Sequence, residues 1–351
     1  MHRIDVHHHF VPPAYRSAMS RHGLYKVAGA ELPAWNADAS LSVMDANGIQ
    51  SALLSISAPG VYLGDREEAR TLARECNEYA AILRDLHPGR FGSFAVLPMP
   101  FTEHACQEAI HALDILKADG VVLLGSTSGR FLGAPEFDEL MAELDRRRAI
   151  VFVHPNLHRT SEELDLGAPG FLLEFLCDTT RAALNLILTG TLERFPNIRW
   201  ILAHAGGFLP YVAWRLSLAN LMPEWASKAP AGVLTYIRRF YFDTALSPAD
   251  YPQAALRELV PPSQILFGSD FPFAPAPVTA MQCDALERSH VWGVDEKAGI
   301  DRGNAVNLFP RLAVAGDAIA DAPSYDDGPL KSLKQAAAGA SVRLLNKLRN
   351  R

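Results

Sequence analysis

A (β/α)8 barrel is the fold this sequence predicts, on three observations. Eight short runs rich in Val, Ile, Leu and Phe alternate with longer amphipathic stretches. The length of 351 residues and the hydrophobic fraction of 49% allow one barrel-sized domain with a large core. The residues with distinctive chemistry also gather where apolar runs stop and loops begin, the strand ends on which such barrels build their sites.

The strands are read at residues 3–9, 51–57, 91–97, 120–124, 150–155, 198–204, 240–245 and 265–270. The first holds Asp5-Val-His7-His8-His9, in which strand alternation puts Asp5, His7 and His9 on one face and His8 on the other. On its own, a triple histidine reads as a solvated terminus or a tag remnant. The fifth strand, however, ends in Val153-His154-Pro155, the sixth in His204-Ala-Gly-Gly207 and the eighth in Gly268-Ser-Asp270-Phe-Pro272. A surface accident would not repeat at strand ends.

Between strands, Asp65–Leu86 places Ala69, Leu72, Ala73, Cys76, Ala80 and Leu83 at helical spacing, and Pro135–Arg147 places Phe137, Leu140, Met141 and Leu144 likewise. Right-handed crossovers then make the strands parallel. A doubly wound open sheet is the rival, but no Gly-x-Gly-x-x-Gly follows the first strand. Residues 125–129, Gly-Ser-Thr-Ser-Gly, lack the Lys-Ser/Thr ending of a phosphate loop and read as a mobile barrel loop. Residues 10–38, with Pro12, Pro13, Pro33 and Trp35, form a long excursion expected to cover the site.

The pattern changes after Phe309. The chain therefore divides into a barrel over 1–315 and, over 316–351, an Ala, Asp and Pro-rich linker with a basic amphipathic stretch, Leu330–Arg351. That stretch reads as a solvated tail helix packing on the barrel or a neighbouring subunit, ahead of a membrane-surface or acidic-partner site. A net charge of −6 gives no basic footprint for nucleic acid. The four cysteines lack Cys-x-x-Cys spacing, no apolar run reaches the ~18 residues of a membrane span, and no secretory leader precedes the first strand. A cytoplasmic protein without a membrane or nucleic-acid partner is expected.

His7, His9, His154 and Asp270 would supply three nitrogens and a carboxylate oxygen, a set suited to Zn2+ and acceptable to Mn2+ or Fe2+, with water or substrate completing the shell. Alone, His154 reads as a core histidine and Asp270 as a cap; together they point to a metal. Strand four carries no lysine to bridge a second ion, so one divalent metal per chain is expected. His204 suits proton transfer to or from a metal-bound water; a fifth ligand or a packing residue are the other readings.

These residues, with Arg74-Glu-Cys-Asn77 and Pro88-Gly-Arg-Phe91, resemble the amidohydrolase superfamily over about residues 3–312, in the decarboxylase branch typified by aminocarboxymuconate semialdehyde decarboxylase. Val6–Pro13 and Leu54–Gly60 look most like 6-methylsalicylate decarboxylases. The resemblance implies a mononuclear metal on His7, His9, His154 and Asp270, with His204 beside the open position. It implies that Arg215 reaches the substrate carboxylate in the adjoining subunit of a homodimer; the other reading of Arg215 is a surface arginine. Asp270 is the implied proton donor, with His204 and Arg215 orienting the substrate, in the loss of CO2 from a small aromatic acid such as a 2-hydroxybenzoate. Hydrolysis of a lactone, ester or amide by the same residues is the alternative, and a non-catalytic metal-binding barrel a more distant one. Trp35, Phe131 and Phe273 are the aromatic candidates to stack on a substrate ring, with loop packing the equal alternative for each.

Overall fold

The structure is a computed structural model that describes residues 3–164, 166–314 and 316–317; the tail read at 330–351 lies outside the described residues. Its strands are runs of branched and aromatic residues buried on both faces, as a barrel sheathed in helices requires. They are β1 (Arg3–His9), β2 (Ile49–Ser55), β3 (Phe91–Val96), β4 (Gly120–Leu124), β5 (Ile150–His154), β6 (Arg199–Leu202), β7 (Tyr241–Asp243) and β8 (Ile265–Leu266). They form one sheet in chain order, each neighbour parallel. The ring closes between β8 and β1, where the amides of Val6, His9 and Asp270 donate to the carbonyls of Phe267, Phe271 and His7 at 3.0, 2.6 and 2.8 Å.

Three strands stop earlier than the apolar pattern does. The chain leaves extended geometry at His204 (φ 55°), Leu246 (φ 52°) and Asp270 (φ 61°), left-handed values that no strand tolerates. His204 therefore sits on a turn beyond β6 instead of on the strand.

The outer layer includes α1 (Pro13–Arg21), α2 (Ala37–Ala46), α3 (Arg66–Leu86), α4 (Thr102–Ile110), α5 (Asp138–Arg146), α6 (Glu174–Leu188), α7 (Leu209–Ser217), α8 (Asp250–Leu259) and α9 (Ala276–Arg288). Their starts are chemically marked: the Asp65 side chain accepts from Glu68 N–H at 2.7 Å at the head of α3, and Asn36 accepts from Ala39 N–H at 2.8 Å at the head of α2. Inside the barrel Phe94 stacks on Phe152 at 5.3 Å, and Phe152 meets His7 edge-on at 4.9 Å, so aromatic packing supports the histidines from below.

Two segments expected to be irregular carry structure. The excursion after β1 contains α1 and a two-stranded hairpin, Lys26–Val27 against Ala30–Glu31. The segment after β4 is a second hairpin, Ser126–Thr127 against Arg130–Phe131, turned by Ser128 (φ 50°) and Gly129 (φ 76°). Ser126 Oγ donates to Asp178 Oδ1 at 2.5 Å, and Asn156 Nδ2 to the Ser126 carbonyl at 3.0 Å. These bonds fasten the second hairpin to α6 and to the loop after β5.

Candidate metal centre and its cavity

Alternation along β1 turns His7 and His9 to the barrel interior with their Nε2 atoms 3.1 Å apart. Asp5 does not join them. The pairing register shifts between Asp5 and His8, and the Asp5 carboxylate accepts from His8 Nδ1 at 2.9 Å and from Ser269 Oγ at 2.6 Å. His8 Nε2 in turn accepts from Ser40 Oγ at 2.9 Å, and Ser40 accepts from Trp35 Nε1 at 2.8 Å. This buried chain ties β1 to the end of β8 and to α2, which holds the neighbouring histidines in register.

Asp270 Oδ1 lies 3.2 Å from His7 Nε2 and 3.1 Å from His9 Nε2. His154 enters from the end of β5, and the ligand atoms of His7, His9, His154 and Asp270 all fall within 4.8 Å of one another. The back of each ring settles its tautomer. His9 Nδ1 donates to the Ser55 carbonyl at 3.1 Å and His154 Nδ1 to the Pro155 carbonyl at 2.8 Å, acceptors that leave the proton on Nδ1. His7 Nδ1 faces Asp243 Oδ2 at 2.7 Å. With His7 neutral, as a bound metal requires, all three Nε2 lone pairs point inward beside a carboxylate, and the two that stand 3.1 Å apart repel unless a cation or a proton lies between them. The residues fit a divalent metal by their donors and by the groups behind them.

The electrostatics agree. Burial opposes a charge on His7, but Asp243 and Asp270 outweigh it and raise the ring to about 10. Burial depresses His9 and drives His154 well below the usual histidine range, where neighbouring imidazoles push it further. At Asp270 burial is overcome, first by His7, and the carboxyl is held well below the usual carboxylate range. The field that favours a proton at His7 also favours a cation among these four groups.

His204 Nε2 stands 3.5 Å from Asp270 Oδ2, while its Nδ1 is buried without a hydrogen-bond partner. Its backbone N–H donates to Asp243 Oδ1 at 2.8 Å. The glycines that follow are required by space: a Cβ on Gly206 would lie 2.7 Å from the Phe242 ring, and one on Gly207 would lie 2.3 Å from the Leu176 carbonyl. Asp243 therefore orients two groups at once, the His7 ring and the His204 turn. The sequence reading missed it, although it ends the apolar run Phe240-Tyr-Phe-Asp243 by the same criterion that found the others.

Above these groups lies a cavity of about 430 Å³. Its polar lining comes from Ser57, His154, His204, Ser247 and Asp270; the rest is apolar, and Phe273 and Phe175 flank the histidines. Trp35, Phe131 and Arg215 are not among the lining residues. Trp35 is buried edge-on against Phe10, so the stacking on substrate expected of it is replaced by core packing and the bond to Ser40. Phe131 stacks on His158 at 4.9 Å. Arg215 is exposed on α7.

Parallel strands, a His/Asp cluster at their C-terminal ends and a loop-roofed cavity define the class: a (β/α)8 barrel enzyme with its centre in the barrel mouth. The family model described as Amidohydrolase matches residues 4–311, and the chain belongs to that family. It is 37% identical over 317 residues to a 6-methylsalicylic acid decarboxylase of Penicillium expansum, covering 89% of this chain and 97% of that one. It is 38% identical to decarboxylase yanB of Aspergillus niger, covering 90% of each. Among solved structures, an amidohydrolase II superposes with a TM-score of 0.81 at 31% identity, covering 88% of this chain and 99% of that one.

Proposed function

We propose that this protein is a metal-dependent, non-oxidative decarboxylase of a small aromatic acid of the 2-hydroxybenzoate type, such as 6-methylsalicylate. The observation that carries the reading is the convergence of three inward Nε2 lone pairs and Asp270 on the floor of an apolar cavity large enough for a substituted benzene ring. The decarboxylase relatives at 37–38% identity support the same chemistry over hydrolysis.

His7, His9, His154 and Asp270 would hold one divalent ion, Zn2+ or Mn2+, which supplies Lewis acidity toward the substrate carboxylate and adjacent hydroxyl. The protein's own part is proton delivery and orientation. A proton held between His204 Nε2 and Asp270 Oδ2 passes to the ring carbon that bears the carboxylate. The bond from that carbon to the carboxylate then breaks, its electron pair restores the aromatic ring, and CO2 leaves. Phe273 and Phe175 exclude water from the ring faces.

No Arg or Lys lines the cavity among the described residues. Arg215 shares a helical stripe with Tyr211, Trp214 and Leu218, of which Tyr211 is 88% and Trp214 73% exposed. So large an exposed aromatic stripe suits a subunit interface, and we assign it to a homodimer in which Arg215 reaches the neighbour's substrate. A cytoplasmic location fits four free cysteines.

Elemental analysis and a CO2-release assay on hydroxybenzoates test the reading in one preparation. About one divalent metal per chain and CO2 release are expected. His204→Ala should keep the metal and lower kcat by about 10²–10⁴-fold. Metal without CO2 from any hydroxybenzoate would favour the hydrolase, and absence of metal from purified, metal-supplemented protein would overturn the site.

A further inference from the structure

The cavity holds more than a hydroxybenzoate needs, and the surplus has one character. Its floor carries the polar groups described above. Its roof is built from two segments outside the barrel strands: the 26–31 hairpin, which contributes Val27 and Ala30, and the turn at Gly170–Leu172, which contributes Phe171 and Leu172. These roof side chains are all apolar. The segments are fastened to each other, with Phe171 N–H donating to the Ala28 carbonyl at 3.2 Å. Gly29 packs so close to Pro169 that a Cβ there would lie 2.9 Å from the proline Cβ. The roof is thus a built surface with no hydrogen-bonding side chain to offer.

A volume of about 430 Å³ falls within the ~300–1,000 Å³ range of sites for drug-sized ligands, well beyond a one-ring acid. A polar ring substituent directed at the roof would lose its water without gaining a partner, whereas an alkyl group would displace water from apolar walls.

We infer that the roof is a specificity element selecting 2-hydroxybenzoates with an apolar substituent at ring position 6, including chains longer than methyl, and that Val27 and Ala30 are residues that set the preference. This rests on the decarboxylase reading and deepens it. The side chain at residue 30 is the smallest on the roof apart from glycine, so its size limits how long a chain fits. Val27, 5% exposed, makes the apolar wall beside it.

The test is a series of 6-methyl, 6-ethyl and 6-propylsalicylate with 2,6-dihydroxybenzoate as the polar comparison, assayed by CO2 release from the metal-loaded enzyme. Binding of the products 3-methyl-, 3-ethyl- and 3-propylphenol by calorimetry gives a readout independent of turnover. Each methylene is expected to raise kcat/KM and product affinity about three- to tenfold, and the dihydroxy acid to be the poorest substrate. Ala30→Leu should lower kcat/KM and product affinity for propyl at least about tenfold more than for methyl. Val27→Thr, nearly the same shape but polar, should lower the propyl compound more than the methyl one.

Decarboxylation of 6-methylsalicylate with a falling trend along the series would overturn the roof assignment and leave the decarboxylase reading intact. An Ala30→Leu variant that lowers every homologue equally would overturn it in the same way. CO2 from no member of the series would remove both.

Discussion

The floor and the roof of the cavity are built by opposite means. On the floor, His7, His9 and His154 sit toward strand ends, are buried, and have their far sides satisfied: His7 by Asp243, His9 by Ser55, His154 by Pro155. On the roof, apolar side chains hang from a six-residue hairpin and a single turn, and Leu172 is 59% exposed. Groups that must hold position within a few tenths of an ångström are set by the barrel's hydrogen bonds, while selection of what enters is left to loops that can change without disturbing them.

The contrast is broken most severely at the floor. His154→Ala removes one of four converging donors and should abolish stoichiometric metal, with CO2 release down on the order of 10³-fold or more, beyond the ~10–100-fold typical of an outer partner. Elemental analysis beside the kinetics checks it. Asp243→Asn touches no substrate, yet it weakens the hold on His7 and on the His204 backbone together. Metal affinity by chelator competition should fall about 10–100-fold, with the fold intact by circular dichroism.

Asp178 tests the ground between the two. It is buried beneath the second hairpin, and burial raises its carboxyl to about 6 despite help from Ser126 and Asn156. A carboxyl raised above its unfolded value of ~3.9 stabilises the fold fully below about pH 4, and that contribution is lost as pH rises through about 6. Urea melts of wild type and Asp178→Asn should therefore show the wild type's relative stability falling by about 2–3 kcal/mol between pH 4 and pH 7.5. A constant difference would mean that the carboxyl ionises at its ordinary value. The smallest effect belongs to the roof. Phe171→Ala should raise KM for 6-methylsalicylate about three- to fivefold, with kcat and metal content within about twofold and stability within ~1 kcal/mol.

The same division explains what the sequence disclosed. The strands were legible because residues such as Val151, Phe152 and Val153 bury both faces, and the His/Asp cluster because its members end such runs. The strand ends were misplaced at β6, β7 and β8, since left-handed backbone at His204 and Asp270 follows from tertiary crowding that no local pattern records. Alternation put Asp5 on the face of His7 and His9, whereas its carboxylate meets His8 and Ser269; alternation assumes an even register, and the shift between Asp5 and His8 is set by pairing with residues far along the chain. Asp243 was overlooked although its signal was present. The 26–31 hairpin was hidden, having only two residues per strand and no periodicity to read.

The ring closure has a consequence for the whole barrel. His7 and His9 belong to the first strand and Asp270 to the turn after the last, so the four donors meet only when β8 has docked against β1. A cation held by these residues would act as a rivet through the seam, converting its own binding energy into resistance of the cylinder to opening. The proposed centre would then also be a fastener, and stripping its metal should be felt in the melting temperature of the entire domain.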